Sequence, residues 1–190
     1  MIAGTLTKLR FVNATSTLPT ISLAARVGSF KQYSKMPVDE KVLKTEQEWK
    51  SELSREEYRV LREKGTEPAF SGRFDKYYPE IGSGYFACRG CLNPLYSAQS
   101  KFDSGCGWPA FDKCYEDSIK TEVDSSFGMQ RIEIMCNKCD GHLGHVFTGE
   151  QFTDTNERHC VNSISISFVK DKGHLSNKKQ VKIVDKISSI

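Results

Sequence analysis

The stretch Arg158-His159-Cys160-Val161-Asn162-Ser163-Ile164-Ser165-Ile166-Ser167-Phe168-Val169 reads as the clearest β-strand of the chain. Ile164, Ile166 and Phe168 share one parity and Ser163, Ser165 and Ser167 the other, the period-two alternation of a half-buried strand. If the strand runs unbroken, Cys160 and Asn162 face the side of the apolar residues. The thiol then points into a lined pocket beside an amide, and Val161 points away; a bulge would break this reading. Arg158 and His159, next to Cys160, are cations able to stabilise a thiolate and lower its pKa.

Working outward, Arg131-Ile132-Glu133-Ile134 alternates in the same way, and from about residue 84 short segments are separated by Gly, Pro, Asn and Asp. Ahead of them, Thr45 followed by Glu48 reads as a capping box that opens a short helix carrying Trp49 and Leu53. Ser54 followed by Glu57 reads as a second, with Tyr58 and Leu61 on one face and Gly65 as its stop. The expected class is mainly β, an antiparallel domain with two short N-terminal helices.

Seven cysteines, an odd number in a chain without a secretory h-region, argue against an extracellular disulfide framework. Cys88-Arg-Gly-Cys91 and Cys136-Asn-Lys-Cys139 are two C-x-x-C knuckles with 44 residues between them. Two knuckles supply the tetrahedral sulfur set that a structural Zn2+ prefers, and Gly90 and Gly141 permit tight turns there. A local set of Cys136, Cys139, His142 and His145 would strand Cys88 and Cys91, so the four-cysteine site accounts for more residues. Cys114 reads as a small core hydrophobe. Cys106 lies in Ser104-Gly105-Cys106-Gly107-Trp108-Pro109, a glycine-flanked turn that can expose a thiol and let it move.

The formal net charge of +3 is unevenly spread. Residues 1–38 hold five basic side chains and no acid, residues 39–169 hold 16 basic and 22 acidic ones, and residues 170–190 hold six Lys and two Asp. An acidic body removes most support for nucleic-acid binding, and no stretch has the roughly 20 apolar residues of a membrane span. Residues 1–38, rich in Ser and Thr, have the composition of a transit peptide or a disordered leader, with a cleavage point expected within 26–36. A mitochondrial address is expected before a plastid one, or a cytosolic protein if the leader is no signal. Residues 39–170 form the expected domain and 171–190 a Lys-rich tail. In the tail, Val181-Lys182-Ile183-Val184 has the pattern of an edge strand, but disorder is the expectation.

Gly105-Cys106-Gly107-Trp108-Pro109-Ala110-Phe111, Gly141-His142-Leu143-Gly144-His145-Val146-Phe147 and Arg158-His159-Cys160-Val161-Asn162-Ser163 together resemble the B-type methionine sulfoxide reductases. The resemblance runs from about Glu46 to Lys170 and includes Gly65-Thr66-Glu67, Phe102-Asp103 and both knuckles. It implies two twisted antiparallel sheets with a zinc site remote from the reaction, and reduction of the R epimer of methionine sulfoxide, free or protein-bound. Cys160 would be the nucleophile, passing through a sulfenic acid. His145, His142 and Asn162 would bind or protonate the sulfoxide oxygen, with either histidine a candidate donor. Trp108 would receive the S-methyl group, and Arg158 would support the thiolate. Cys106 would form a disulfide with Cys160 that thioredoxin reduces. A monomer is expected. The competing readings are a zinc-ribbon binding module, which has no need for Cys106, Cys160 and two histidines, and a thiol-based peroxide sensor, which Cys160 and Cys106 would also suit.

Overall fold

Both capping boxes form. In the computed structural model, which describes residues 40–183 apart from 172 and 174, Glu46–Glu52 (α1) follows Thr45 and Arg55–Leu61 (α2) follows Ser54. In each, the Ser or Thr oxygen accepts from the backbone N–H of the glutamate three residues on, and that glutamate accepts from the cap N–H. Such caps stabilise a helix start by about 1 kcal/mol, which matters for helices of seven residues. α2 ends at Leu61 with Arg62 as its cap, four residues before Gly65, so Gly65 is not the stop. The leader and its expected address lie outside the described residues.

The rest is strands. In chain order they are Gly84–Cys88 (β1), Pro94–Ser97 (β2), Lys101–Phe102 (β3), Ala110–Phe111 (β4), Cys114–Tyr115 (β5) and Ile119–Asp124 (β6). Arg131–Cys136 (β7), His142–Thr148 (β8), Glu157–Val161 (β9), Ile166–Lys170 (β10) and Gln180–Val181 (β11) follow. They build a six-stranded sheet in the order β3-β4-β9-β8-β7-β6, a three-stranded sheet β10-β1-β2 and a pair β11-β5. Every pairing among the described residues is antiparallel.

The expectation of one unbroken strand over 158–169 is corrected. The chain leaves the six-stranded sheet after Val161, makes a short 3-10 turn at Ser163–Ser165, and enters the three-stranded sheet at Ile166. Backbone N–H groups that leave a ladder need other acceptors. The Glu67 carboxylate supplies them, accepting from Ser163 N–H and Ile164 N–H. α2 packs over this turn and against β8.

The core lies between the two larger sheets. Tyr96 and Phe111 stack with centroids 4.1 Å apart, and Phe86 meets Phe111 and Phe168 edge-on at 5.1 Å. Val161 points away from the Cys160 side, as expected, and is fully buried in this core. Cys114 is buried there as well. The expected disorder of the tail is also corrected over its described part. Gln180 and Val181 pair with Tyr115 and Cys114, Ile183 is buried, and its N–H donates to Glu157 Oε2 at 3.0 Å.

Candidate active site

Strand register places Cys160 directly opposite Ala110 on β4 and His145 on β8. Cys160 lines a pocket of about 120 Å³ together with Trp108, Gly144, His145, Phe147 and Asn162. Thr66 and Arg131 complete the wall. For scale, a cavity of ~150 Å³ accepts benzene, so this one suits the end of a side chain.

Cys106 lies outside that lining but at its edge, its Sγ 3.7 Å from Cys160 Sγ. Gly107 takes φ +87°, which a side chain would resist, and this turns the chain so that Cys106 Sγ also lies 3.4 Å from the Trp108 carbonyl. A disulfide needs about 2.05 Å between sulfurs, within reach of a small movement of a turn.

Two histidines three apart on a regular strand would face opposite ways. Here Ile134 pairs with Gly144 and Met135 with His142, so Leu143 is the extra residue of a bulge. The two imidazoles therefore meet, with ring centroids 5.7 Å apart. Gly144, at φ +155°, lies so close to β9 that a Cβ would collide with the Cys160 carbonyl oxygen. Only glycine lets β8 approach the cysteine strand in this way.

Each histidine rests on a carboxylate. His145 Nε2 lies 2.8 Å from Asp124 Oδ2, and Arg131 donates to that oxygen at 2.7 Å. Hydrogen bonds from Ser126 and His145 hold Asp124 well below the usual carboxylate range. An ionised carboxylate only accepts, so neutral His145 carries its proton on Nε2. Burial pushes the His145 pKa down, against the pull of Asp124. His142 Nδ1 lies 2.7 Å from Glu133 Oε1, and Lys64 donates to Glu133 Oε2 at 2.7 Å. Burial opposes the charge on Glu133, but His142 and Lys64 outweigh it and lower its pKa. His142 stands behind His145 and does not line the pocket. Its buried Nε2 has no hydrogen-bond partner among the described residues.

Asn162 lines the pocket and Arg158, expected to bind substrate, does not. Arg158 donates twice to Glu150, at 2.6 and 2.7 Å, and lies over the Phe147 ring. Asn162 Oδ1 accepts from Glu67 N–H at 3.0 Å and its Nδ2 donates to the Leu143 carbonyl at 3.1 Å. Trp108 Nε1–H donates to the Glu67 carbonyl at 3.1 Å. His159 differs: it is fully buried on the opposite face of β9, between Glu157 Oε2 at 2.9 Å and Tyr96 Oη at 3.3 Å. It cannot assist Cys160.

The two thiols share one negative charge. Contact with Cys160, opposed by burial and helped by Ser104 and Arg158, holds Cys106 down at about 5. The same contact, then burial, pushes Cys160 well above the usual thiol range, while Arg158 pulls it back.

A second sulfur cluster lies elsewhere. Cys88, Cys91, Cys136 and Cys139 are buried, with their Sγ atoms all within 4.8 Å of one another, and could hold a metal ion. They close β1 and β7, and so join the two larger sheets. The residues in left-handed conformation at these turns are Leu92 and Asp140, not Gly90 or Gly141. None of the four lines the pocket.

Sequence reasoning passed over Asp124, Arg131 and Glu133, and gave Glu67 no role. Alternation marked Glu133 as the polar side of a strand, whereas that side is covered too. Glu67 stands in Gly65-Thr66-Glu67, a visible motif whose partners lie about 95 residues away.

A family model described as SelR domain matches residues 53–170. The chain is 53% identical over 128 residues to Peptide methionine sulfoxide reductase B5 of Arabidopsis thaliana, covering 67% of this chain and 88% of that protein. It is 47% identical over 132 residues to Peptide methionine sulfoxide reductase MsrB of Chromohalobacter salexigens, covering 69% and 97%. It is 51% identical over 130 residues to Peptide methionine sulfoxide reductase B2, chloroplastic, of Arabidopsis thaliana, covering 68% and 62%.

Proposed function

The chain belongs to the SelR-domain family of B-type peptide methionine sulfoxide reductases, oxidoreductases acting on methionine sulfoxide, and on that premise we propose that Cys160 attacks the sulfur of the R epimer. The observation that carries this reading is a thiol at a small pocket, paired across the strand with His145 and 3.7 Å from a second thiol.

Cys160 reacts as the thiolate, stabilised by Arg158, while the proton the pair shares is held on Cys106, whose S–H has the Trp108 carbonyl as acceptor. Trp108 packs against the S-methyl group, a contact worth about 0.3–1.5 kcal/mol, enough to orient but not to drive. Glu67 fixes both Trp108 and Asn162 through its backbone. Asn162 has a second Nδ2 hydrogen to offer the sulfoxide oxygen. Protonated His145, with His142 behind it, donates the proton that this oxygen needs. Methionine leaves, and Cys160 keeps the oxygen as a sulfenic acid. Cys106 attacks that sulfur, water departs, and the disulfide forms for reduction by thioredoxin.

Four soft thiolates suit Zn2+. At Zn–S of about 2.3 Å a tetrahedral ion spaces sulfurs by about 3.8 Å, and contacts of 3.5 and 3.6 Å within this cluster fit that size. Bound there, zinc supplies structure only: Cys88 and Cys91 fasten one sheet to Cys136 and Cys139 of the other. For the acid-free residues 1–38 we propose a mitochondrial address, with a plastid as the alternative.

The test is reduction of the R and S sulfoxides of a blocked methionine with dithiothreitol. R-selective activity is expected, falling by roughly 10⁴-fold or more in Cys160→Ser. Equal reduction of both epimers, or activity that survives the substitution, would overturn the reading.

A further inference from the structure

Two exposed aromatic side chains, Phe70 and Tyr78, 66% and 49% exposed, flank the turn that carries Cys106. Phe70 N–H donates to the Gly107 carbonyl at 2.7 Å. A Cβ added to Gly107 would stand 3.0 Å from Phe70 Cε2, so the ring lies against the turn. Tyr78 is near enough for the charges of Asp103 and Cys106 to act on its phenol. Lys101 Nζ lies 4.0 Å from its ring centroid and is fixed by the Asp75 carbonyl at 2.8 Å.

Phe70 adopts φ +62°, an outlier for a bulky residue. Such strain persists where the surroundings enforce it, and it gathers at functional sites. Here the Gly107 hydrogen bond holds a large apolar ring out in solvent. Neither Phe70 nor Tyr78 lines the pocket of Cys160, Trp108 and His145. The rim therefore faces whatever approaches Cys106, not the group that enters the pocket.

We propose that Phe70 and Tyr78 form the docking face for a protein dithiol that reduces the Cys106–Cys160 disulfide. This rests on the recycling step proposed above. A small dithiol gains nothing from an apolar rim, whereas aromatic residues are enriched at the buried centres of protein interfaces. The partner's thiolate attacks Cys106 Sγ and the Cys106–Cys160 bond breaks. Cys160 departs as a thiolate beside Arg158, leaving a mixed disulfide on Cys106. The partner's second thiol attacks its own sulfur and releases Cys106. Two electrons and two protons pass to the pair, and the partner leaves as a disulfide.

The test compares wild type with Phe70→Asn, Tyr78→Ser and the double variant, asparagine being chosen because it tolerates positive φ. Each reduces an R-sulfoxide peptide, once with dithiothreitol and once with thioredoxin, thioredoxin reductase and NADPH. The double variant should raise the KM for thioredoxin by about tenfold, the size of a lost interface anchor. Its dithiothreitol-driven turnover and its KM for the peptide should match wild type, which also shows that it is folded. If wild type cycles with thioredoxin and the variants match it, the docking face is overturned alone. A wild type that cycles with dithiothreitol but not thioredoxin overturns the recycling step and the docking face with it. A raised KM for the peptide would assign the rim to substrate and overturn the proposal.

Discussion

Cys88, Cys91, Cys136 and Cys139 sit at strand ends, each enclosed, whereas Cys106 and Cys160 are half-buried, one on a turn between glycines and one on a strand. The knuckles are closed by backbone bonds, Leu92 N–H to the Cys88 carbonyl and Asp140 N–H to that of Cys136. Those sulfurs are buried and none lines the pocket. Four buried thiolates without a cation would be prohibitively costly, so their geometry suits holding an ion and little else. The pair, by contrast, has one partner on a turn between glycines, a nearby guanidinium and an opening to solvent. Access separates a structural sulfur from a reacting one, since the element and its oxidation state are the same.

Breaking either cluster should separate the two behaviours. The largest effect is expected from Cys136→Ser, which should cost roughly 5 kcal/mol or more, given that a structural Zn2+ contributes about 10–16 kcal/mol to small domains. Thermal melting with metal analysis would register this as a lower Tm and a lost equivalent of metal. Cys106→Ser should leave the stability within about 1 kcal/mol of wild type and yield a single burst of methionine per enzyme without cycling by thioredoxin. Full multiple turnover in that variant would remove Cys106 from the recycling step. The smallest effect is on alkylation. With Cys106 held at about 5, the group is ionised above that pH and protonated below it. Iodoacetamide should therefore react at a plateau rate from about pH 6 upward, while the knuckle cysteines resist until a chelator is added. A rate that rises only toward pH 9 would contradict the shared charge of the pair.

What the sequence disclosed follows from range. Thr45 with Glu48, Ser54 with Glu57 and each C-x-x-C are patterns within four residues, and all took the expected form. The mainly β class and the pocket around Cys160, Trp108, His145 and Asn162 were legible too. The break at Asn162–Ser165 was not, because alternation cannot show that Glu67 will take the freed N–H groups from about 95 residues away. His159 looked like a helper of its neighbour, yet adjacent residues on a strand face opposite sides, and Tyr96 and Glu157 claim it from behind. The tail looked disordered because its anchors are distant: Gln180 accepts from Ser97 Oγ at 2.6 Å, and Ile183 bonds to Glu157.

The bulge at Leu143 makes residue count a constraint in its own right. On a plain strand, His-x-His would bring two rings to one face and His-x-x-His would part them. With Leu143 as the extra residue His-x-x-His does what His-x-His does on a plain strand, so deleting Leu143 should abolish the bulge and leave both rings on one face. Among distant sequences, the gap between the two histidines is then a gauge of local backbone shape, readable even where every neighbouring residue has changed.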